Sequence, residues 1–138
     1  MVDKPKLDQL LSNLRQYAGV LRGLADSSRE TFLGSPDKVG NAKYHFVIAI
    51  ECCIDIANHI IASENYRFPK DNADSFTALE EYGVVDARFA EDLRAMARFR
   101  NRLVHLYGEI DDGRVYGYLQ SSLSDLERFA RTIAGRAW

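Results

Sequence analysis

The sequence has only two cysteines, and they are adjacent, Cys52 and Cys53. Neighbouring side chains on a helix point about 100° apart. The pair has neither the C-x-x-C spacing of a metal or redox site nor the separation of a structural bridge. Both read as buried packing residues in a reducing compartment. Histidines number three, scattered at His45, His59 and His105, and the Glu-x-x-His pairs of a di-iron bundle are missing. No metal site and no cofactor are therefore expected. A glycine-rich phosphate loop, which would make this chain a nucleotidyltransferase, is also missing. No segment alternates in the manner of a strand, and there is no internal repeat or low-complexity tract. The opening residues MVDKPKLDQL contain no apolar signal core. The most apolar run, Phe46 to Ile61, is interrupted by Glu51, Asp55, Asn58 and His59, so no membrane span is expected. These absences leave a cytoplasmic, all-α chain.

What is present fits one domain, residues 1–138, long enough to bury a core without disulfides or metal. Leu7, Leu10, Leu11, Leu14, Tyr17, Leu21 and Leu24 step by three or four, marking an amphipathic helix that runs on towards Phe32 and Leu33. Gly34 offers a stop, Ser35 a cap and Pro36 a first-turn residue for a second helix over Pro36 to Ala62. That helix is apolar on most of its circumference, as a central helix or one shared between a core and a second subunit would be. Glu51, Asp55 and Asn58 lie along one stripe of it. They form either a narrow solvated face or a border that orients nearby arginines. Glu64 to Ala73 reads as a loop, and Ser75 as the cap of a short helix through Tyr82, ended by Gly83. Asp86 caps a further helix with Phe89, Leu93, Met96, Phe99, Leu103 and Leu106 on its apolar side. Gly108, Asp111, Asp112 and Gly113 form a turn, and a last helix starts near Val115. The expected architecture is an up-and-down bundle of four main helices plus a short one.

The chemistry is concentrated in Arg100-Asn101-Arg102-Leu103-Val104-His105-Leu106-Tyr107. The net charge is −2, so any affinity for nucleic acid must come from a local patch. From Leu93 to Gly108 there are four arginines (94, 98, 100 and 102), one histidine and no acid. On a helical wheel Arg94, Arg98, Asn101 and His105 share a stripe at about 100–160° from Arg100, and Arg102 flanks it. Arg100 points into the apolar arc of Leu93, Met96, Leu103 and Val104, with Tyr107 beside it. A charge there needs a partner. One solution is an ion pair with Glu51 or Asp55 on the neighbouring helix; the other is a cleft shared between two copies, which would also bring Arg100 and His105 to one phosphate. A histidine that takes a proton from a ribose 2′-hydroxyl, or gives one to the leaving oxygen, suits phosphodiester cleavage. An arginine can stabilise the charge on the phosphorane, while Asn101, Arg102 and Arg98 hold the backbone. On spacing alone, a histidine and an arginine that merely cap and pair fit as well.

The stretch as a whole resembles the Arg-Asn-x3-His-x-Tyr motif of the HEPN superfamily, in its HepT-like branch. AIECCIDIANHII, GVVDARFAEDLRAMARFRN and GEIDDGRVYGYL resemble that branch in order and spacing, from about Leu7 to Ile133. The resemblance implies an all-α homodimer acting as a metal-independent ribonuclease toxin on RNA, with tRNA or mRNA as the substrate. It implies a partner, an MntA-type nucleotidyltransferase antitoxin that transfers AMP to the motif tyrosine. Carried over, Arg100 and His105 are the catalytic pair, Tyr107 is the AMPylation site and Asn101 supports the cleft. The rival expectation is a non-catalytic HEPN module that binds nucleotide or docks onto a nucleotidyltransferase.

Overall fold

The computed structural model describes residues 1–138, and every regular element in it is helical. Helix α1, Lys4–Ala25, starts where the Asp3 side chain accepts from Lys6 N–H and Pro5 occupies the first turn. It does not continue to Leu33, as its apolar spacing suggests. The backbone N–H of Asp26 turns back to Gly23 and Leu24 carbonyls, and Ser28 caps a separate helix α2, Arg29–Leu33, by accepting from Thr31 N–H. The Asp-Ser-Ser run favours such caps over helix interior, and the bend turns Phe32 fully inward.

Helix α3, Pro36–Ser63, is the central element and begins at the expected Ser35 cap. By length and mean hydropathy it alone could cross a bilayer, but over half of its most apolar window is buried within the bundle. Here it packs against α1, α2 and the helices that follow. The next helix, α4, Asn72–Glu81, starts earlier than Ser75. Asp71 is its cap, accepting from Asp74 N–H at 2.8 Å, while Asp74 accepts from Lys70 N–H at 2.8 Å. Ser75 lies inside the helix, buried, and donates its hydroxyl to Asn58 Oδ1 at 2.7 Å. A serine in a polar neighbourhood is a poor discriminator between cap and buried donor. Gly83 at φ +77° ends the segment as expected.

Helix α5, Ala87–His105, is capped by Asp86, whose carboxylate accepts from Phe89 N–H at 2.7 Å. A 3-10 turn over Tyr107–Glu109 follows. The final helix is two: α6, Asp112–Ser121, and α7, Leu123–Ala134. It starts at the Asp111 cap rather than near Val115, and the break falls at Ser121 and Ser122. There the Ser121 hydroxyl returns to the Gly117 carbonyl at 2.9 Å, a local bond that bends helices. The bundle thus has seven α-helices, with α1, α3, α5 and the α6–α7 pair as its four main rods.

One apolar cluster of 38 buried residues fills the centre. Beneath the arginine-rich stretch, Phe99 of α5 meets Phe46 of α3 edge-on at 5.5 Å and stacks on Tyr118 of α6 at 3.8 Å. Such aromatic pairs add about 0.5–1.5 kcal/mol each beyond their burial. They clamp the last turns of α5 in a fixed orientation between α3 and α6. Cys52 and Cys53 are buried and free. Burial pushes the Cys52 thiol up to about 11 and that of Cys53 well above its ordinary value, so both act as packing groups.

Candidate active site

The end of α5 is half buried against α3, and its side chains diverge from there. Arg100 has one fifth of its side chain exposed and is held by Glu51. Its Nη2 and Nε donate to the same carboxylate oxygen at 2.7 and 3.2 Å, and Nη1 donates to Asn101 Oδ1 at 3.1 Å. Of the two acids that could pair with it, Glu51 does so. Asp55, one turn further along α3, is exposed and makes no ion pair with an arginine. Desolvation, then the Glu51 charge, raise the pKa of Asp55 above the usual carboxylate range, with Lys6 opposing. The third residue of that stripe, Asn58, turns to Ser75.

The other basic residues are placed differently. Arg94 is committed to α4, donating to Glu80 at 3.1 Å and to Thr77 at 3.3 Å. Arg98 is exposed. Arg102 leans on the Phe99 and Tyr118 aromatic stack and donates to the Tyr118 hydroxyl at 3.3 Å. His105, the last residue of α5, is exposed. His45 and His59 serve the scaffold: the first bonds the Asn41 carbonyl at 3.0 Å between Tyr17 and Tyr44, and the second accepts from Asp3 N–H at 3.2 Å.

Tyr107 lies where helical extrapolation does not put it. The helix stops at His105; Leu106 N–H still bonds the Arg102 carbonyl, but the Leu106 backbone has left helical geometry. The 3-10 turn then lays the phenol ring on the first turns of α3, not beside Arg100. Its ring faces the Lys43 ammonium at 4.7 Å, and its hydroxyl lies 3.7 Å from where a Cβ on Gly40 would stand. Lys43 and Glu51 are eight residues apart on α3, so the Tyr107 and Arg100 seats are separated by about 12 Å along that helix.

Lys43 was not among the residues singled out in the sequence. It is 7% exposed, donating to the Tyr107 carbonyl at 3.1 Å and pairing with Asp112 at 3.2 Å. The available signal was a lysine on the face of α3 that otherwise carries Val39, Ala42 and Phe46, all buried. A run of exposed or half-exposed apolar side chains, Tyr44, Val47 and Ile48 on α3 with Val104 on α5, borders the site.

Similarity to known proteins covers this whole arrangement. The pattern of the Ribonuclease HepT-like family matches residues 8–133. Over 83 residues, 60% of its length, the chain is 36% identical to the mRNA nuclease HepT of Shewanella oneidensis, and the match spans 62% of that protein. Over 127 residues it is 23% identical to the tRNA nuclease HepT of Aphanizomenon flos-aquae, covering 92% of this chain and 86% of that one. Among solved structures, the tri-AMPylated Shewanella oneidensis HEPN toxin in complex with MNT antitoxin superposes with a TM-score of 0.87 at 26% identity. That overlay covers 99% of this chain and 100% of the other. YutE of Bacillus subtilis, a cytosolic protein, shares the fold at a TM-score of 0.82 and 23% identity over 97% of this chain and 90% of that one. With its bundle, its motif at the end of α5 and the family pattern running through residues 8–133 of 138, the chain belongs to the Ribonuclease HepT-like family.

Proposed function

We propose that this protein is a metal-independent endoribonuclease toxin that works as a homodimer in the cytoplasm and is neutralised by an MntA-type nucleotidyltransferase. The observation that carries the reading is the intact Arg100-Asn101-x3-His105-x-Tyr107 motif, its arginine held by Glu51 and its histidine open to solvent. The nuclease relatives and the toxin–antitoxin structure support it.

In the cleavage step His105 removes the proton of a ribose 2′-hydroxyl, and that oxygen attacks the adjacent phosphorus. The bond to the 5′-oxygen breaks, and that oxygen takes a proton from an imidazolium, leaving a 2′,3′-cyclic phosphate and a 5′-hydroxyl. Arg100 stabilises the charge that grows on the non-bridging oxygens. Arg98 and Asn101 contact the flanking backbone. Arg102 joins them only after leaving Tyr118. Within one copy Arg100 and His105 diverge by about 140° around α5. Pairing two copies across Tyr44, Ile48 and Val104 brings one protomer's histidine towards the other's arginine and covers the exposed apolar strip.

In the neutralising step the Tyr107 hydroxyl attacks the α-phosphorus of ATP, the bond to the β-phosphate oxygen breaks, and pyrophosphate leaves. The product is a bulky anion two residues from His105, which obstructs RNA.

The test is RNA cleavage in EDTA by protein whose intact mass shows no AMP, beside His105→Ala and Arg100→Ala. Cleavage by wild type and loss in both variants is expected. If unmodified wild type leaves both tRNA and mRNA uncut, the chain is a docking or nucleotide-binding module instead. Cleavage surviving both substitutions places the active site elsewhere.

A further inference from the structure

Buried Lys43 is an expense the bundle does not need. An apolar residue at that position of α3 would pack among Val39, Ala42 and Phe46 without desolvating a charge. Its present partners do not require it either. Asp112 lies in the first turn of α6, where the helix end already favours a carboxylate. The Tyr107 carbonyl precedes a surface turn that water reaches. An ammonium also has three N–H donors, and the carbonyl and the carboxylate use two.

The surroundings of Lys43 fit an anion. Its Nζ stands over the face of the Tyr107 ring at 4.7 Å, one helical turn from Gly40, above which the phenol hydroxyl lies. They line an open cavity of about 210 Å³, walled on its apolar side by Leu33, Pro36 and Val39 and on its far side by Asp112, whose carboxylate Lys43 holds. A group bonded to the hydroxyl meets no side chain at Gly40, has a cation one turn away, and has apolar surface and the first turn of α3 beyond. The positive end of α3 adds to the local potential.

We propose that Lys43 is the positioning cation for AMP-modified Tyr107: its ammonium receives the phosphodiester, and the nucleoside rests in the cavity between α2 and α3. The inference rests on the AMP-transfer reading above and adds to it where the nucleotide goes. The phosphodiester bonded to the Tyr107 oxygen carries one negative charge whether or not further AMP units follow it, and Lys43 exchanges Asp112 for it. The nucleotide is then fixed on α3 about two turns from Arg100, so it blocks RNA beside His105 instead of neutralising Arg100. Gly40 is the residue that keeps this seat open.

The experiment uses the full chain co-expressed with the Shewanella oneidensis MNT antitoxin, with AMP on Tyr107 established by intact and peptide mass. Phosphorus NMR then compares modified wild type, Lys43→Met and Lys43→Arg in buffer and in urea, with circular dichroism reporting the fold. The resonance of the aryl phosphodiester on the Tyr107 oxygen, distinct from those of any further AMP units, is expected to be displaced from its urea position in wild type. Lys43→Arg should keep that displacement and Lys43→Met should lose it while remaining folded. Gly40→Gln, which leaves the ammonium in place and fills the seat, should lose it too; this variant decides the matter if Lys43→Met does not fold. A folded Lys43→Met, or Gly40→Gln, whose resonance coincides with native wild type overturns the inference alone. A wild type that carries no AMP on Tyr107 overturns the AMP-transfer reading and this inference with it.

Discussion

Glu51→Ala isolates what holds Arg100. The guanidinium donates twice to one carboxylate oxygen, at 2.7 and 3.2 Å, with 21% of the arginine side chain and 40% of the glutamate side chain exposed. A hydrogen bond to a charged group contributes about 1.5–3 kcal/mol when buried, and an exposed ion pair about 0.2–1 kcal/mol. Partial exposure of both partners places this pair between those limits, at about 1–2 kcal/mol. For a domain of this size that corresponds to a fall in Tm of roughly 3–8 °C. Combined with Arg100→Met, the double-mutant cycle should return a coupling of about 1 kcal/mol, shrinking as salt is raised.

The effect on catalysis should be larger than the effect on stability. With Glu51 gone, only Asn101 still fixes the guanidinium, and a misplacement of about 1 Å can cost on the order of a hundredfold in rate. Glu51→Ala should therefore lower kcat for RNA cleavage by about tenfold to a hundredfold, with a smaller change in KM. Steady-state cleavage of a short labelled RNA in EDTA measures both. Full activity in Glu51→Ala, or zero coupling with Arg100, would refute the claim that this carboxylate orients the arginine.

Two carboxylates give pH-dependent outcomes of opposite sign. Desolvation and then Glu51 raise the Asp55 pKa above 3.8, so the folded protein binds that proton more tightly than the unfolded chain. Ionising it therefore costs stability as pH rises through the raised pKa. Asp55→Asn should raise Tm at pH 7 and make no difference near pH 3, and a lower Tm at pH 7 would refute this sign. Asp74 is the reverse case. The Arg67 guanidinium, at 2.8 and 2.9 Å, and then the Lys70 N–H hold its carboxyl well below the usual range. Its contribution is complete above about pH 5 and disappears as pH falls through and below the ordinary carboxylate range. Urea unfolding of Asp74→Asn should accordingly show a deficit at pH 7 that narrows towards pH 2, and a constant deficit would refute the assignment.

The helical class was legible because apolar residues recur at three and four throughout and strand alternation never does. The caps at Ser35 and Asp86 were legible too, each preceding a helix of 19 residues or more. Other boundaries misled for a common reason: serines and aspartates serve equally as caps, as interior hydroxyls and as bends. Asp26 to Ser28 ends one helix and caps another within a run whose apolar period is uninterrupted. Ser75 looked like a cap and is a buried donor to Asn58, because Asp71, four residues earlier, had already capped that helix. Ser121 and Ser122 bend the last rod without disturbing its apolar spacing.

The candidate site was legible only as far as its motif, and the side chains that hold that motif lie on a different helix. Arg100, Asn101, His105 and Tyr107 are close in sequence, so their chemistry could be read together. The cost of a lone charge in an apolar arc called for a partner to Arg100 and left two open, an acid on the neighbouring helix or a cleft shared between two copies; within one copy Glu51 of α3 supplies it. The position of Tyr107 did not follow, because a wheel assumes that the helix goes on. Leu106 abandons helical geometry without a glycine to announce it; Gly108 comes only after the tyrosine. Lys43 was hidden among apolar neighbours 64 residues earlier in the chain. Once both are placed, α3 emerges as the template for the whole site. Glu51 at its middle fixes the arginine, and Gly40 and Lys43 near its start receive the tyrosine. Two seats about 12 Å apart on one rigid helix can be altered independently. A substitution at Glu51 should therefore change cleavage while leaving AMP in its place on Tyr107, and one at Lys43 should change the placement of AMP without displacing Arg100.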